Sequence, residues 1–179
     1  MPEAKRRLVE RIIDPDYAQG LEHRSIEDLR AMREEAKEGE NELSFERRLC
    51  HARIDILSAE LDRRSGKEQG DLLDRLPEIL ATEITTGTGP LPTRAPDFSI
   101  PRNADVPRRR VEEIVGEQTL ARLPQLSTEE IRSIIASLDD HERSVSAKRR
   151  QVHTLIDKIQ SEMVRRYTSG EADPTTALG

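Results

Sequence analysis

One helical segment occurs twice in this chain, 102 residues apart, and the second copy matches the first without a gap. Ser25 falls on Ser127, Glu27 on Glu129, Arg30 on Arg132, Arg48 on Arg150, Glu60 on Glu162, and Arg63 and Arg64 on Arg165 and Arg166. The apolar residues match as well. Leu29, Met32, Ala36, Leu43, Cys50, Ile54, Leu57 and Leu61 fall on Ile131, Ile134, Leu138, Val145, Val152, Ile156, Ile159 and Met163. Their spacings are those of a helix with one apolar seam. Each copy opens on a capping signal, Ser25 with Asp28 and Ser127 with Glu130, and runs without proline for some forty residues. Two long helices follow, over 25–64 and 127–168.

The composition suits a thin seam rather than a thick core. Charged residues make up 36% and hydrophobic ones 34%, with two Phe, two Tyr and no Trp. Without aromatics to fill a globule, aliphatic side chains must do the packing, and the expected fold class is all-α. Around the long helices the sequence predicts a short helix within 1–20, ended by Asp14 and Pro15, a helix over 71–84, and a modest one over 108–122. Glycines and prolines crowd 85–107, so 65–126 reads as short helices plus a flexible linker, and 169–179 as a disordered tail. The linker permits either helix orientation. An antiparallel two-helix coiled-coil hairpin is favoured because the helices are neighbours in one chain; a parallel pair, or pairing between two chains, would satisfy the same seam. The seam weakens midway, where Gly39 and Glu46 in one copy, and His141 and Lys148 in the other, replace apolar residues. Such interruptions either fix register or open room for something other than a helix.

Beside the seam runs a second matched pattern: Glu40, Ser44, Arg47, His51 and Asp55, repeated as Glu142, Ser146, Arg149, His153 and Asp157. At 100° per residue these five positions share an arc of roughly 80° over roughly 22 Å. A charged run on one helix is ordinarily a solvated face. Solvation is indifferent to residue identity, however, and five matched identities in register ask for more. A silent duplication is the bland alternative. The residue types suit a guanine nucleotide: Arg donates two hydrogen bonds to O6 and N7, carboxylates accept from N1 and the N2 amino group, and Ser, His, Arg48 and Arg150 can serve phosphate oxygens.

Those residues carry a specific resemblance. The stripe resembles the paired Glu-x3-Ser-x2-Arg-x3-Gln-x3-Asp signature of the RsiG family, cyclic-di-GMP-dependent anti-sigma factors of sporulating actinobacteria. The resemblance implies an antiparallel coiled coil holding an intercalated dimer of cyclic-di-GMP and sequestering a WhiG-type sigma factor. It extends over both long helices. His51 and His153 stand where that signature has Gln. His also donates a hydrogen bond, and it titrates near neutrality.

Other functions are disfavoured. The net charge of −6 argues against direct binding of DNA or anionic membrane. No apolar run is long enough to span a bilayer, and the start lacks a secretory core. With its single Cys50 excluding an intrachain disulfide, a cytoplasmic location is expected. Cys50 lies on the seam as a small core residue. Gly87 and Gly89 lack the strand and lysine of a phosphate loop. Nothing resembles a catalytic triad, so no enzyme is expected. A metal site at His51/Asp55 and His153/Asp157 would put Arg beside the cation and lacks the Glu-x-x-His spacing of bundle di-metal sites; no metal is expected. A ligand-independent coiled-coil adaptor remains the main alternative, and a metal-binding helical protein a weaker one.

Overall fold

The computed structural model describes residues 8–66 and 110–172. The predicted helix over 71–84 and the linker over 85–107 lie outside them. The described residues form helices and turns without a strand. A short helix α1 (Leu8–Ile12) leads through two 3-10 turns, Pro15–Ala18 and Leu21–His23, into the long α2 (Ile26–Arg64). Two short helices, α3 (Arg110–Ile114) and α4 (Glu117–Ala121), lead through a 3-10 turn at Leu123–Gln125 into the long α5 (Thr128–Ser169). The fold is all-α, as the sequence predicts.

Both long helices start where the capping signals stand. Ser25 Oγ accepts from Asp28 N at 3.0 Å while Asp28 Oδ2 accepts from Ser25 N at 3.3 Å. Ser127 and Glu130 repeat this reciprocal box at 3.2 and 2.7 Å. Each box satisfies two amide groups that a helix start leaves without an intrahelical partner. Helix α2 stops at Gly66, whose φ of 70° is a left-handed conformation that glycine adopts without steric penalty. The single helix expected over 108–122 is instead split. Gly116 takes an extended conformation, φ −90° and ψ 178°, and caps α4 through its carbonyl, which accepts from Thr119 and Leu120 N at 3.1 Å. A glycine inside so short a helix lowers its propensity enough for the break to win.

The repeat reaches further than the long helices. Helix α1 and α3 stand 102 residues apart at both ends, as do the turns at Leu21–His23 and Leu123–Gln125. The described residues fold into two compact units: residues 8–43 with 147–172, and residues 44–66 with 110–146. Each is built from the start of one copy and the end of the other.

In the first unit Val9, Ile12, Leu29, Ala36 and Leu43 share the buried set with Val152, Ile156, Ile159 and Met163. The α2 and α5 segments run antiparallel there: Arg30 Nη2 donates to the Tyr167 hydroxyl at 3.1 Å, and Arg149 Nε to Glu40 Oε1 at 2.9 Å. Helix α1 packs over α2, with Arg11 paired to Glu35 and the Tyr17 hydroxyl donating to Glu35 at 2.6 Å. Burial, reinforced by that carboxylate, keeps the Tyr17 hydroxyl protonated. Gly39 is the seat of α1: a Cβ there would run into Ile12 Cδ1. The weak seam position does open room, but what fills it is a short helix rather than something other than a helix. Gly39→Leu is expected to lower stability by about 1–3 kcal/mol through overpacking. Denaturant unfolding checks this, and shortening the clashing side chain in Ile12→Ala/Gly39→Leu should recover part of the loss.

In the second unit Cys50, Leu57, Val111, Val115, Leu123, Ile131 and Leu138 form one core cluster. Shifted by 102, Val111, Ile131 and Leu138 correspond to Val9, Leu29 and Ala36, so the two units bury equivalent positions of exchanged copies. Cys50 is fully buried. Burial, aided by the Glu46 and Glu142 carboxylates, pushes its thiol up to about 12, which makes it inert packing rather than a nucleophile. The segments again run antiparallel, with His141 against Glu46 at 2.8 Å and Arg64 Nη1 donating to Leu126 O at 2.6 Å. The His141–Glu46 pair, at 16% and 17% side-chain exposure, crosses the seam where apolar contact lapses. Its repeat equivalents are Gly39 and the exposed Lys148, so the interruptions that match in sequence differ in structure.

Each long helix ends on an arginine clamp. Arg64 donates to the Leu126 and Leu123 carbonyls at 2.6 and 2.9 Å and is held by Glu60 at 2.7 Å. Arg166 donates to the carbonyls of Arg24 and of Leu21, the latter at 2.8 Å, and is held by Glu162 at 2.8 Å. Each clamp ties a helix end to the turn before the other long helix, bringing a charged donor to two carbonyls of that turn. Hydrogen bonds from Arg63 and Arg64 hold the Glu60 carboxyl at about 2 against its burial, and Arg165 and Arg166 do the same for Glu162. Both carboxylates therefore stabilise the fold fully above pH ~4.5, and that contribution is lost as pH falls from there toward 2. Circular dichroism should show unfolding at low pH, shifted to higher pH in Glu60→Gln/Glu162→Gln.

Candidate functional site

The stripe residues meet mainly across the two copies rather than within one. In the first unit Glu40 on α2 receives Arg149 Nε at 2.9 Å and His153 Nε2 at 3.0 Å, both from α5. In the second unit Glu142 on α5 stands 3.3 Å from His51 Nε2 on α2 and receives the Ser146 hydroxyl at 2.6 Å. The glutamate of one motif copy thus engages the Arg-x3-His turn of the other, and it does so twice. Antiparallel pairing brings this about, since the front of one stripe then lies opposite the middle of its partner.

The two sets are half-buried. Glu40 and Glu142 side chains are 17% and 20% exposed, and His51 and His153 are each 36% exposed. Such a position lets polar groups reach a ligand while retaining much of their electrostatic strength. Burial pushes the Glu142 carboxyl up, but hydrogen bonds from Ser146 and His51, with the charge of Arg47, outweigh it and hold it below the ordinary range. Glu142 is therefore ionised at neutral pH.

The sets differ in one respect. Arg149 Nε is committed to Glu40, whereas Arg47 Nε is buried and has no hydrogen-bond partner among the described residues. A buried guanidinium donor left unsatisfied is costly and marks a place where an acceptor fits. Of the other stripe residues, Ser44 and Asp55 are half-buried in the second unit, and Asp157 is exposed in the first. Arg48 lies with its guanidinium 5.9 Å over the Phe45 ring, and Arg150 is exposed. The geometry brings Glu40, Arg149 and His153 together, and Glu142, Ser146, His51 and Arg47.

One polar group near this set escaped the stripe pattern. The His141–Glu46 pair adjoins Glu142 and Arg47 in sequence, and the signal for it was the mismatch of His141 with Gly39. Among the described residues no three or more His, Cys, Asp or Glu groups are placed to hold a metal ion, and no helix is long and apolar enough to cross a membrane.

No curated protein matches the chain. The RsiG-like family model matches residues 15–80 and 117–178, two segments that begin 102 residues apart in the register of the repeat. Together they hold both motif copies and both long helices. That family is one of anti-sigma regulators, with a sigma factor as the kind of partner, and is not an enzyme family. With both halves of the repeat matched over most of its length, the chain belongs to the RsiG-like family.

Proposed function

We propose that this protein sequesters a WhiG-type sigma factor when cyclic-di-GMP is bound between its paired long helices, and so represses sporulation transcription. The observation that carries the reading is the crossed Glu, Arg and His set found once in each unit. A ligand with two like guanine ends suits a chain that offers two like sets. Arg47 and Arg149 read guanine O6 and N7, and Asp55 and Asp157 take the base edges. Ser44, Ser146, His51 and His153, with Arg48 and Arg150 outside them, serve phosphates or the second molecule of an intercalated dimer. Glu40 and Glu142 accept from guanine N1 and N2 or orient an arginine, the role Glu40 plays toward Arg149 in the free protein.

The unsatisfied Arg47 donor supports an acceptor arriving from outside the chain. An acidic protein, at net charge −6, also suits a partner whose surface is basic where it meets DNA. Calorimetry with cyclic-di-GMP, guanosine monophosphate and zinc tests the reading, with and without the sigma factor. Cyclic-di-GMP is expected to give heat and to bind more tightly than the mononucleotide. No heat from cyclic-di-GMP in either setting would leave the adaptor, and heat from zinc alone the metal-binding protein.

A further inference from the structure

Three of the four histidines meet a glutamate of the other long helix: His153 on Glu40, His51 on Glu142 and His141 on Glu46. They are not equivalent. His141 lies in the seam at 16% exposure, while His51 and His153 belong to the stripe at 36%, within reach of a ligand. An ionised carboxylate can only accept, so Nε2 carries a hydrogen in each stripe pair whatever the charge of the ring. Ring charge then depends on Nδ1 alone.

Around His153 stand Glu40 from α2 and, one turn away on either side along α5, Arg149 and Asp157. Around His51 stand Glu142 with Ser146 from α5, and Arg47 and Asp55 along α2. Glu, Asp and the stripe Arg of each set leave one negative charge in excess, which the outer Arg48 or Arg150 balances while the imidazole is neutral; protonation of the imidazole makes the set positive by one. A phosphodiester anion therefore meets no net charge at a neutral imidazole and a net attraction at an imidazolium.

We infer that His51 and His153 take up protons as the anionic ligand binds, so that capture of the cyclic dinucleotide tightens as pH falls through the imidazole range. The inference rests on the proposed ligand and adds its regulation. The sign follows from linkage: the bound anion favours the protonated rings, so affinity is highest below that range and declines as pH rises through it. One proton fully taken up changes Kd by about tenfold per pH unit, and partial uptake by two rings gives a decline of about ten- to a hundredfold from pH 6 to pH 8.

The test is titration calorimetry of the full chain, with its sigma partner present, against cyclic-di-GMP at pH 6, 7 and 8 in buffers of different ionisation enthalpy. Net proton uptake near neutrality and a steep fall in affinity by pH 8 are expected. His51→Gln/His153→Gln should keep the hydrogen bonds to glutamate but lose both the uptake and the pH dependence, its affinity at pH 6 falling to about the wild-type value at pH 8. Wild-type binding without proton uptake overturns the inference and leaves the ligand reading standing. Full pH dependence in the double variant overturns it too, assigning the effect to His141 and Glu46. Absence of cyclic-di-GMP binding at every pH removes the ligand reading first. Absence of proton uptake by the wild type overturns the inference without reliance on the variant's folding.

Discussion

Arg47→Lys and Arg149→Lys are each expected to weaken cyclic-di-GMP binding by about ten- to a hundredfold, the range that loss of one bidentate base contact implies. Lysine keeps the charge and loses the planar fork, so the change separates guanine recognition from simple attraction of an anion. The two substitutions should differ in the free protein. Arg149 Nε is bonded to Glu40, and its loss should lower stability by about 1 kcal/mol. Arg47 Nε has no hydrogen-bond partner among the described residues, and its replacement should leave stability unchanged or slightly higher. Binding by calorimetry and unfolding by circular dichroism read the two effects separately. Equal affinity in wild type and both variants would mean that charge alone matters.

The largest effect on folding is expected at the arginine clamps. Arg166 is 8% exposed and gathers Glu162 and the Leu21 and Arg24 carbonyls around one guanidinium. Arg166→Ala removes the buried guanidinium and leaves the Glu162 carboxylate without its Arg166 partner, at a cost of about 2–4 kcal/mol. Arg64→Ala should cost somewhat less, because the Arg64 side chain is 22% exposed and water can replace part of what is lost. Lysine should restore little at either position, since three carbonyl and carboxylate acceptors are arranged for a planar fork. Urea unfolding measures these losses. Restoration of full stability by Arg166→Lys would contradict the clamp.

Much of this could be read before folding. Local rules set the long helices and their caps, because Ser25 with Asp28 and Ser127 with Glu130 act within four residues. The seam residues Leu29, Leu57, Ile131, Leu138 and Ile159 are all fully buried, as their periodicity predicts. Periodicity identifies a face; it does not say what the face meets. That is why Gly39 reads as a weak seam position, although it makes room for Ile12 from twenty-seven residues upstream. It is also why one helix was expected where Gly116 divides two.

The stripe shows the same limit. Its residues and their shared face are legible in the repeat, whereas the crossing of Glu40 to His153 and of Glu142 to His51 depends on helix direction and stagger. The clamps were present among the matched positions as Arg64 and Arg166, but an arginine near a helix end ordinarily serves the dipole. Only tertiary structure reveals that each reaches the turn before the other helix.

The central claim is that ligand and sigma factor favour the same bound state of this chain. Linkage makes that reciprocal: whatever cyclic-di-GMP adds to sigma affinity, sigma adds to cyclic-di-GMP affinity. The most direct measurement is the dissociation constant of the full chain for a purified WhiG-type sigma factor, at saturating cyclic-di-GMP and without it. The ligand is expected to tighten the complex by about tenfold or more, within the usual range of allosteric coupling. Equal affinity with and without cyclic-di-GMP would contradict it.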